Sequence, residues 1–447
     1  MHLKSFVKRA RAHPLVLGPL HADELPSAVH KPSANHKPRG VKATAAAAGF
    51  SIGLSAVLAT LATDAHAVDW RGNISSELTY FPETSVGLDN WKSRASIAAD
   101  IEIFHDFNDN VTLTVHPFAR YDQRDDERTH TDFSELILTT TGDSWEFSGG
   151  LGTVFWGVTE SRHLVDVINQ TDGVEGVDDE DKLGQLMLNL NLYRESGEYQ
   201  FFFLPHFRER TFASIDGRPF IGAVVDEDLA QFESDRGDRH IDAAVRWTQS
   251  YDYWDIGLHY FNGTARDPLL VPVISNGAVL VRDGVVVLAP RYIQMQQVGL
   301  DAQALYGDLS VKAEIVGRYG DEIDDHFELV SGIEYTLVGF YERIDLGIVA
   351  EYLWDERGDE ATHPFQNDFL AGFRFALNDE RSTDALFGII QDFDGGATAI
   401  SLEGSTRVFD AHRLTIEARH FANTFDDPTF AGFQNESFIK LDFSYFF

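Results

Sequence analysis

The sequence predicts an all-β fold, a transmembrane antiparallel β-barrel of about eighteen strands, sixteen being the next even count, with short turns on one rim and long loops on the other. Three observations predict it. The chain ends on FIKLDFSYFF, in which Ile439, Leu441, Phe443, Tyr445 and Phe447 alternate with Lys440, Asp442 and Ser444, the period of a strand with one apolar and one wet face. Connections between segments of this kind alternate between short and long along the whole chain. After Ala67 no uncharged apolar run approaches the roughly 20 residues of a spanning helix, so a membrane-embedded chain must cross with strands.

Residues 1–67 read as a targeting segment. Ala43 to Thr63 carry no charge, and Ala65-His66-Ala67 supply the small-x-small pattern of a signal-peptidase site, which places cleavage after Ala67. The basic stretch ahead of the apolar run is long for a signal, and a start at position 41 from a GTG codon restores an ordinary length.

The barrel is expected over 68–447. Its first strands are read at 70–81, 91–105, 111–122, 132–141, 144–155, 184–195 and 198–207, each a run of alternating apolar and polar residues. The next are 239–250, 252–263, 291–305, 308–319 and 325–337, followed by 340–354, 366–378, 383–392, 397–408, 411–421 and 434–447. Short connections such as FNDN (107–110), TGDS (141–144), ESGE (195–198) and YGDL (306–309) hold turn formers. Long ones fall at 156–183, 208–238, 264–290, 355–365 and 422–433. Aromatic residues gather near strand ends: Trp70, Trp145, Tyr253, Tyr306 and Phe447 toward the short-turn rim, Tyr80, Tyr121, Trp156, Tyr260 and Trp354 toward the other.

The terminal Phe447 with aromatics two and four residues before it resembles the C-terminal signature of Gram-negative outer-membrane β-barrels. The order of short and long connections is similar to that of outer-membrane porins, including the 18-stranded substrate-selective and alginate-export channels. The resemblance implies an outer-membrane location in contact with lipid and lipopolysaccharide, insertion by the barrel-assembly machinery through the last strand, and a monomer or a trimer.

Composition agrees with an exported barrel. Residues 1–67 hold 8 of the 36 Lys and Arg and 3 of the 71 Asp and Glu, which leaves 28 basic and 68 acidic residues and a net charge of about −40 after Ala67. Nucleic acid is excluded as a partner. The chain has no cysteine, which excludes thiolate metal sites and cysteine catalysis.

Function is expected in the inward-facing charges. Of the 28 basic residues after Ala67, 24 are Arg, whose planar fork binds carboxylate and phosphate through two hydrogen bonds. Arg71, Arg94, Arg120, Arg246, Arg318, Arg343, Arg374, Arg407, Arg413 and Arg419 fall on polar strand faces with Glu314, Glu351, Glu417 and Asp442, and are read as pore-lining. The expected function is a passive channel for small polar or charged solutes. A barrel hydrolase of the lipase or protease type, or a non-conducting structural or adhesion barrel, is the alternative.

The connection 156–183 is the candidate constriction, as in porins that fold their third long loop into the lumen. Leu164, Val165, Val167 and Ile168 are too apolar for a solvated loop and call for the inner wall, with Glu160, Arg162, His163 and Asp166 toward the channel. Asp172, Glu175, Asp178, Asp179 and Asp181 offer oxygen ligands for Ca²⁺, although their spacing fits no EF-hand loop. Ser161, His163 and Asp166 invite a triad reading, but residues two or three apart on one loop cannot line up nucleophile, base and orienter, and no nucleophile elbow surrounds Ser161. No enzyme is expected.

Overall fold

The computed structural model describes residues 68–85, 91–341, 343–427 and 429–447. The targeting segment 1–67 and its cleavage site lie outside the described residues. Eighteen strands form one antiparallel sheet in chain order. The first seven are β1 (Val68–Tyr80), β2 (Ser93–Asn108), β3 (Val111–Asp122), β4 (Thr131–Gly142), β5 (Trp145–Gly152), β6 (Gln185–Arg194) and β7 (Gly197–Leu204). They are followed by β8 (Asp242–Tyr251), β9 (Trp254–Thr264), β10 (Gln294–Tyr306), β11 (Leu309–Tyr319), β12 (His326–Tyr341) and β13 (Ile344–Asp355). The last five are β14 (Asn367–Ala376), β15 (Asp384–Asp392), β16 (Thr398–Phe409), β17 (His412–Ala422) and β18 (Phe438–Phe446).

The sheet closes because β18 pairs with β1, from Asn73 opposite Phe446 to Tyr80 opposite Ile439. Gly72 and Phe447 then exchange backbone hydrogen bonds of 3.1 and 3.0 Å, so the seam runs to the last residue. Closure removes both sheet edges. Alternation does the rest: Ile74, Leu78, Leu188, Val298, Ile333 and Leu441 stand exposed on the outside, a belt favoured by hydrocarbon and not by water. Among the described residues no helix is long and apolar enough to cross a membrane. Aromatic rings crowd the short-turn rim, where Trp70 lies 5.3 Å from Phe447 and Tyr253 lies 5.6 Å from Tyr306 between ring centres.

Two details depart from the sequence reading. Arg343 is not on a strand face; β12 runs on to Tyr341 through an irregularity after Leu337, which leaves Arg343 exposed in the turn before β13. The long connections after β7 and β9 are not plain loops. Val285–Tyr292 is the hub of a small sheet above the rim, antiparallel to Leu269–Pro272 and Val281–Arg282 and parallel to Ala223–Val225 and Gln231–Phe232. Asp283-Gly284 turns one of its hairpins at φ 51° and 87°, and Asn276-Gly277 turns a separate two-stranded hairpin, Ile274–Ser275 with Ala278–Val279, at φ 52° and 80°, left-handed values that glycine adopts without strain.

Candidate functional site

The connection between β5 and β6 enters the barrel, and its sequence accounts for the path. Leu164, Val165, Val167 and Ile168 are buried with Trp156 against Met187, Phe202, Ala244, Phe261, Met295, Val316, Val330, Val349 and Leu353. These wall residues point inward from β6 to β13, so the inner wall is apolar where the loop covers it. Trp156, expected in the outer aromatic rim, is therefore 3 % exposed inside the barrel. Its indole lies 5.5 Å from the Phe202 ring and 4.9 Å from the Arg246 guanidinium.

Two inward carboxylates fasten the loop. Glu314 on β11 accepts hydrogen bonds from the Val158 and Thr159 amides at 2.7 and 3.1 Å, from the Thr159 hydroxyl at 2.8 Å and from the Val165 amide at 3.2 Å. Glu351 on β13 accepts from the Glu160 and Ser161 amides, both at 2.8 Å, and from the Ser161 hydroxyl at 2.5 Å. Both carboxylates are buried under the loop and do not face open lumen. The charge of each is held by amides pointing at it.

Of the four residues expected to face the channel, the structure brings only Glu160 to the loop edge, paired with Arg374 of β14. Asp166 faces the wall side, buried with the Lys182 ammonium 3.3 Å away; its apolar neighbours carry it inward. His163 lies 3.9 Å from Glu314, and Arg162 reaches Glu328 at 3.5 Å and Asp267 at 3.8 Å. Burial opposes the charge on His163, but Glu314 outweighs it and the imidazole is held above its usual pKa. Ser161 donates to Glu351 and not to His163, so Ser161, His163 and Asp166 form no relay.

The acidic half of the loop crosses to other walls. Glu175 pairs with Arg120 of β3 at 2.7 Å and with His130 at 2.8 Å, Asp178 with Arg419 of β17 at 2.9 Å, and Asp179 with Arg210 at 2.5 Å. Asp172 accepts the Thr211 hydroxyl at 2.6 Å, and burial pushes its carboxyl up. These carboxylates diverge to separate partners and, with Asp181, do not gather around one point as Ca²⁺ ligands.

The remaining pore-lining candidates separate into paired and free groups. Arg71 meets Glu102 at 2.5 Å, Arg246 meets Asp301 at 2.8 Å, and Glu417 holds Arg419 at 3.2 Å together with Lys440. Arg94 is buried near Asp122 and Glu77 at 3.5 and 3.7 Å. Asp442 accepts the Ser444 hydroxyl. Arg407 and Arg413 stand directly opposite each other on β16 and β17, exposed, and neither makes an ion pair among the described residues. Arg374 is exposed at 45 % on its side chain.

Sequence reasoning missed Arg128. It sits in the charged run 123–130, yet it is buried and bridges Glu77 at 2.9 Å, Asp122 at 2.8 Å and the Val174 carbonyl at 2.9 Å. It also missed the cluster above β11–β13. There Glu328 receives Arg318 at 2.7 Å, His326 at 3.2 Å and His363 at 3.4 Å, while Asp355 takes Arg357 at 2.7 Å and His363 at 2.9 Å. His326, Glu328 and Asp355 bring ligand atoms within 4.8 Å of one another. A metal does not fit: three arginines already face these carboxylates, and the Phe365 amide donates to His363 Nδ1, which leaves the ring proton on the inward Nε2.

No protein-family model matches the sequence, and a comparison with curated proteins finds no match. Solved structures with a similar strand arrangement include a BenF-like porin from Pseudomonas fluorescens Pf-5, 8 % identical, covering 86 % of this chain and 98 % of that one, with a TM-score of 0.49. Wzi of Escherichia coli, an outer-membrane protein involved in group 1 capsule assembly and a carbohydrate-binding β-barrel, is 10 % identical over 90 % of this chain and 87 % of its own, with a TM-score of 0.48. A mutant of the Rh. blastica porin is 13 % identical over 85 % of this chain and all of its own, with a TM-score of 0.40.

Proposed function

We propose that the barrel is a passive channel of an outer membrane for small polar or charged solutes, narrowed by the loop between β5 and β6. The observation that carries the reading is the loop's position. It is fastened by Glu314 and Glu351 on one wall and reaches Arg120 and Arg419 on others. The edge of the loop carries Glu160 and Asp178 in direct contact with Arg374 and Arg419, so these pairs fasten the edge to the far wall. Charged pairs and free arginines along the inner wall favour polar solutes and penalise apolar ones. Farther toward the short-turn rim, Arg407 and Arg413 present unneutralised positive charge to whatever enters.

Single-channel conductance of the refolded protein in planar bilayers tests the reading, with reversal potentials measured in a salt gradient. Discrete conductance steps are expected. Absence of conductance where a known porin conducts would overturn it.

A further inference from the structure

We infer that Phe155 and the inner faces of β2, β3 and β4 form a binding face for neutral sugars inside the barrel, one that rests on the channel reading for its access to solute. Val154 and Trp156 turn toward the wall that the loop covers, where Val154 packs on the apolar cluster and Trp156 is buried in it. Phe155 between them turns the other way and is 63 % exposed, although it belongs to the infolded loop and not to the lipid-facing belt. Its ring meets the His163 imidazole edge to face, 4.7 Å between centres. Gly157, at φ 154°, makes room for that imidazole, since a Cβ there would lie 2.7 Å from His163 Nδ1 and 3.2 Å from Glu314 Oε1. The phenyl ring is thus propped in water by a backbone turn that glycine takes without strain.

The wall beside it carries the matching groups. The Thr153 hydroxyl donates to Glu135 of β4 at 3.0 Å, and Phe155 follows two residues later, its Cα within about 7 Å of the Thr153 Cα. Glu135 is the cross-strand partner of His116, whose Nε2 lies 2.5 Å from Asp100 Oδ1, and Asp100 is in turn the partner of Phe118. Phe118 and, farther toward the short-turn rim, Phe104 are half-buried on the inward faces of β3 and β2. The Arg120 and Arg71 guanidinium groups lie 5.7 and 5.4 Å from their ring centres. None of these wall residues belongs to the apolar patch under the loop. Asp100 and His116 keep 37 % and 23 % of their side chains exposed, so water reaches this pair.

Two features select the ligand. The charges are matched, Arg71 with Glu102 and Arg120 with Glu175, while His116 is turned to Asp100. Unlike Arg407 and Arg413, these groups leave no bare cation to draw an anion. Each pair instead sets donors beside acceptors, which suits neighbouring hydroxyls that donate to a carboxylate and accept from a guanidinium. The rings are the second feature. The slightly positive C–H groups on one face of a pyranose rest on the negative face of a phenyl ring, and both surfaces leave water. A flat aromatic solute would use the rings and leave the ion pairs idle. An open-chain polyol would use the ion pairs and lack a rigid C–H face. A saturated ring edged with hydroxyls uses both.

Saturation-transfer NMR of maltose with the full-length protein, refolded in a detergent without a sugar headgroup, tests the face without reference to conductance. Transfer to the ring C–H protons of maltose should be saturable, and sorbitol, glucuronate and benzoate should each bind about tenfold or more weakly than maltose. Phe155→Ala should weaken maltose binding about three- to tenfold, the worth of one ring contact, and Phe155→Trp should retain it. Phe155 is exposed, so both variants should keep the strand circular dichroism of the wild type. Phe393→Ala, which removes an exposed ring from an outer loop, should bind maltose as the wild type does. Absence of saturable transfer, equal or tighter binding of sorbitol, glucuronate or benzoate, wild-type affinity in Phe155→Ala, or loss in Phe393→Ala would each overturn the assignment. Maltose binding by a protein that does not conduct would overturn the channel and leave the face standing. Conductance without maltose binding would overturn the face alone.

Discussion

Glu351→Ala is the sharpest perturbation of the infolded loop. Glu351 accepts three hydrogen bonds, from the Glu160 amide, the Ser161 amide and the Ser161 hydroxyl, at 2.8, 2.8 and 2.5 Å. Bonds to a charged acceptor contribute about 1.5–3 kcal/mol each, so the set is worth at most about 5–9 kcal/mol. The freed donors are half-buried at the loop tip and recover part of this from water, which leaves a loss of about 3–5 kcal/mol. That is a factor of about 10²–10⁴ in the ratio of docked to free tip. The apolar side of the loop resists: Leu164, Val165, Val167 and Ile168 are each nearly fully buried, at about 1.5–3 kcal/mol apiece. The exposed Glu160–Arg374 pair adds little. The segment 160–162 should therefore detach while 158–159, still held by Glu314, and 164–168 stay docked. Single-channel recording should give a higher mean conductance and noisier open states, and Ser161→Ala should add nothing in the Glu351→Ala background. Conductance and noise equal to wild type, with the barrel intact, would refute the anchoring role.

Three further outcomes follow from the same contacts. Arg128→Met should destabilise the barrel by about 3–5 kcal/mol in urea unfolding, because Glu77 and Asp122 lose a buried partner; an unchanged midpoint would count against that network. Burial, then the neighbouring Glu127 and Glu209, pushes the Glu227 carboxyl up to about 7 against the Phe212 amide that donates to it. The folded loop thus binds a proton more tightly than the unfolded chain does, so this contribution is full below about pH 4.5 and lost as pH rises through about 7. Amide exchange over 208–238 should be slower at pH 5 than at pH 8 once corrected for intrinsic rate, and Glu227→Gln should abolish the difference; equal protection in the wild type would refute it. Arg407→Gln with Arg413→Gln should move the reversal potential toward cation selectivity, since the pair has no acidic partner among the described residues. An unmoved potential would mean that permeating ions do not pass near them.

Much of the barrel was legible because the relevant pattern is local. All eighteen strands lie where alternation and turn formers put them, and the faces of β13, with Ile348 outside and Glu351 inside, follow from the pleat. Less of the site was legible. The apolar run at 164–168 announced that the loop must pack, and Val349 and Leu353 on the inward face of β13 gave the wall's side of the contact. Asp166 and Glu314 carried no sign that they are covered, because charged residues on a loop tip and on a wet strand face look alike whether water reaches them or not. Arg128, in a run of charges, was equally silent.

The sequence by itself determined a closed antiparallel barrel with one apolar and one charged face. A two-residue period is a property of the extended backbone, and it holds whatever lies on the other side of the molecule. Only the tertiary structure decided which inward charges remain in water and which become fasteners. Ser161 and Glu351 are 190 positions apart and Asp178 and Arg419 are 241 apart. Their contacts depend on barrel closure and on the depth to which the loop's apolar side draws its polar residues down, which no local pattern records.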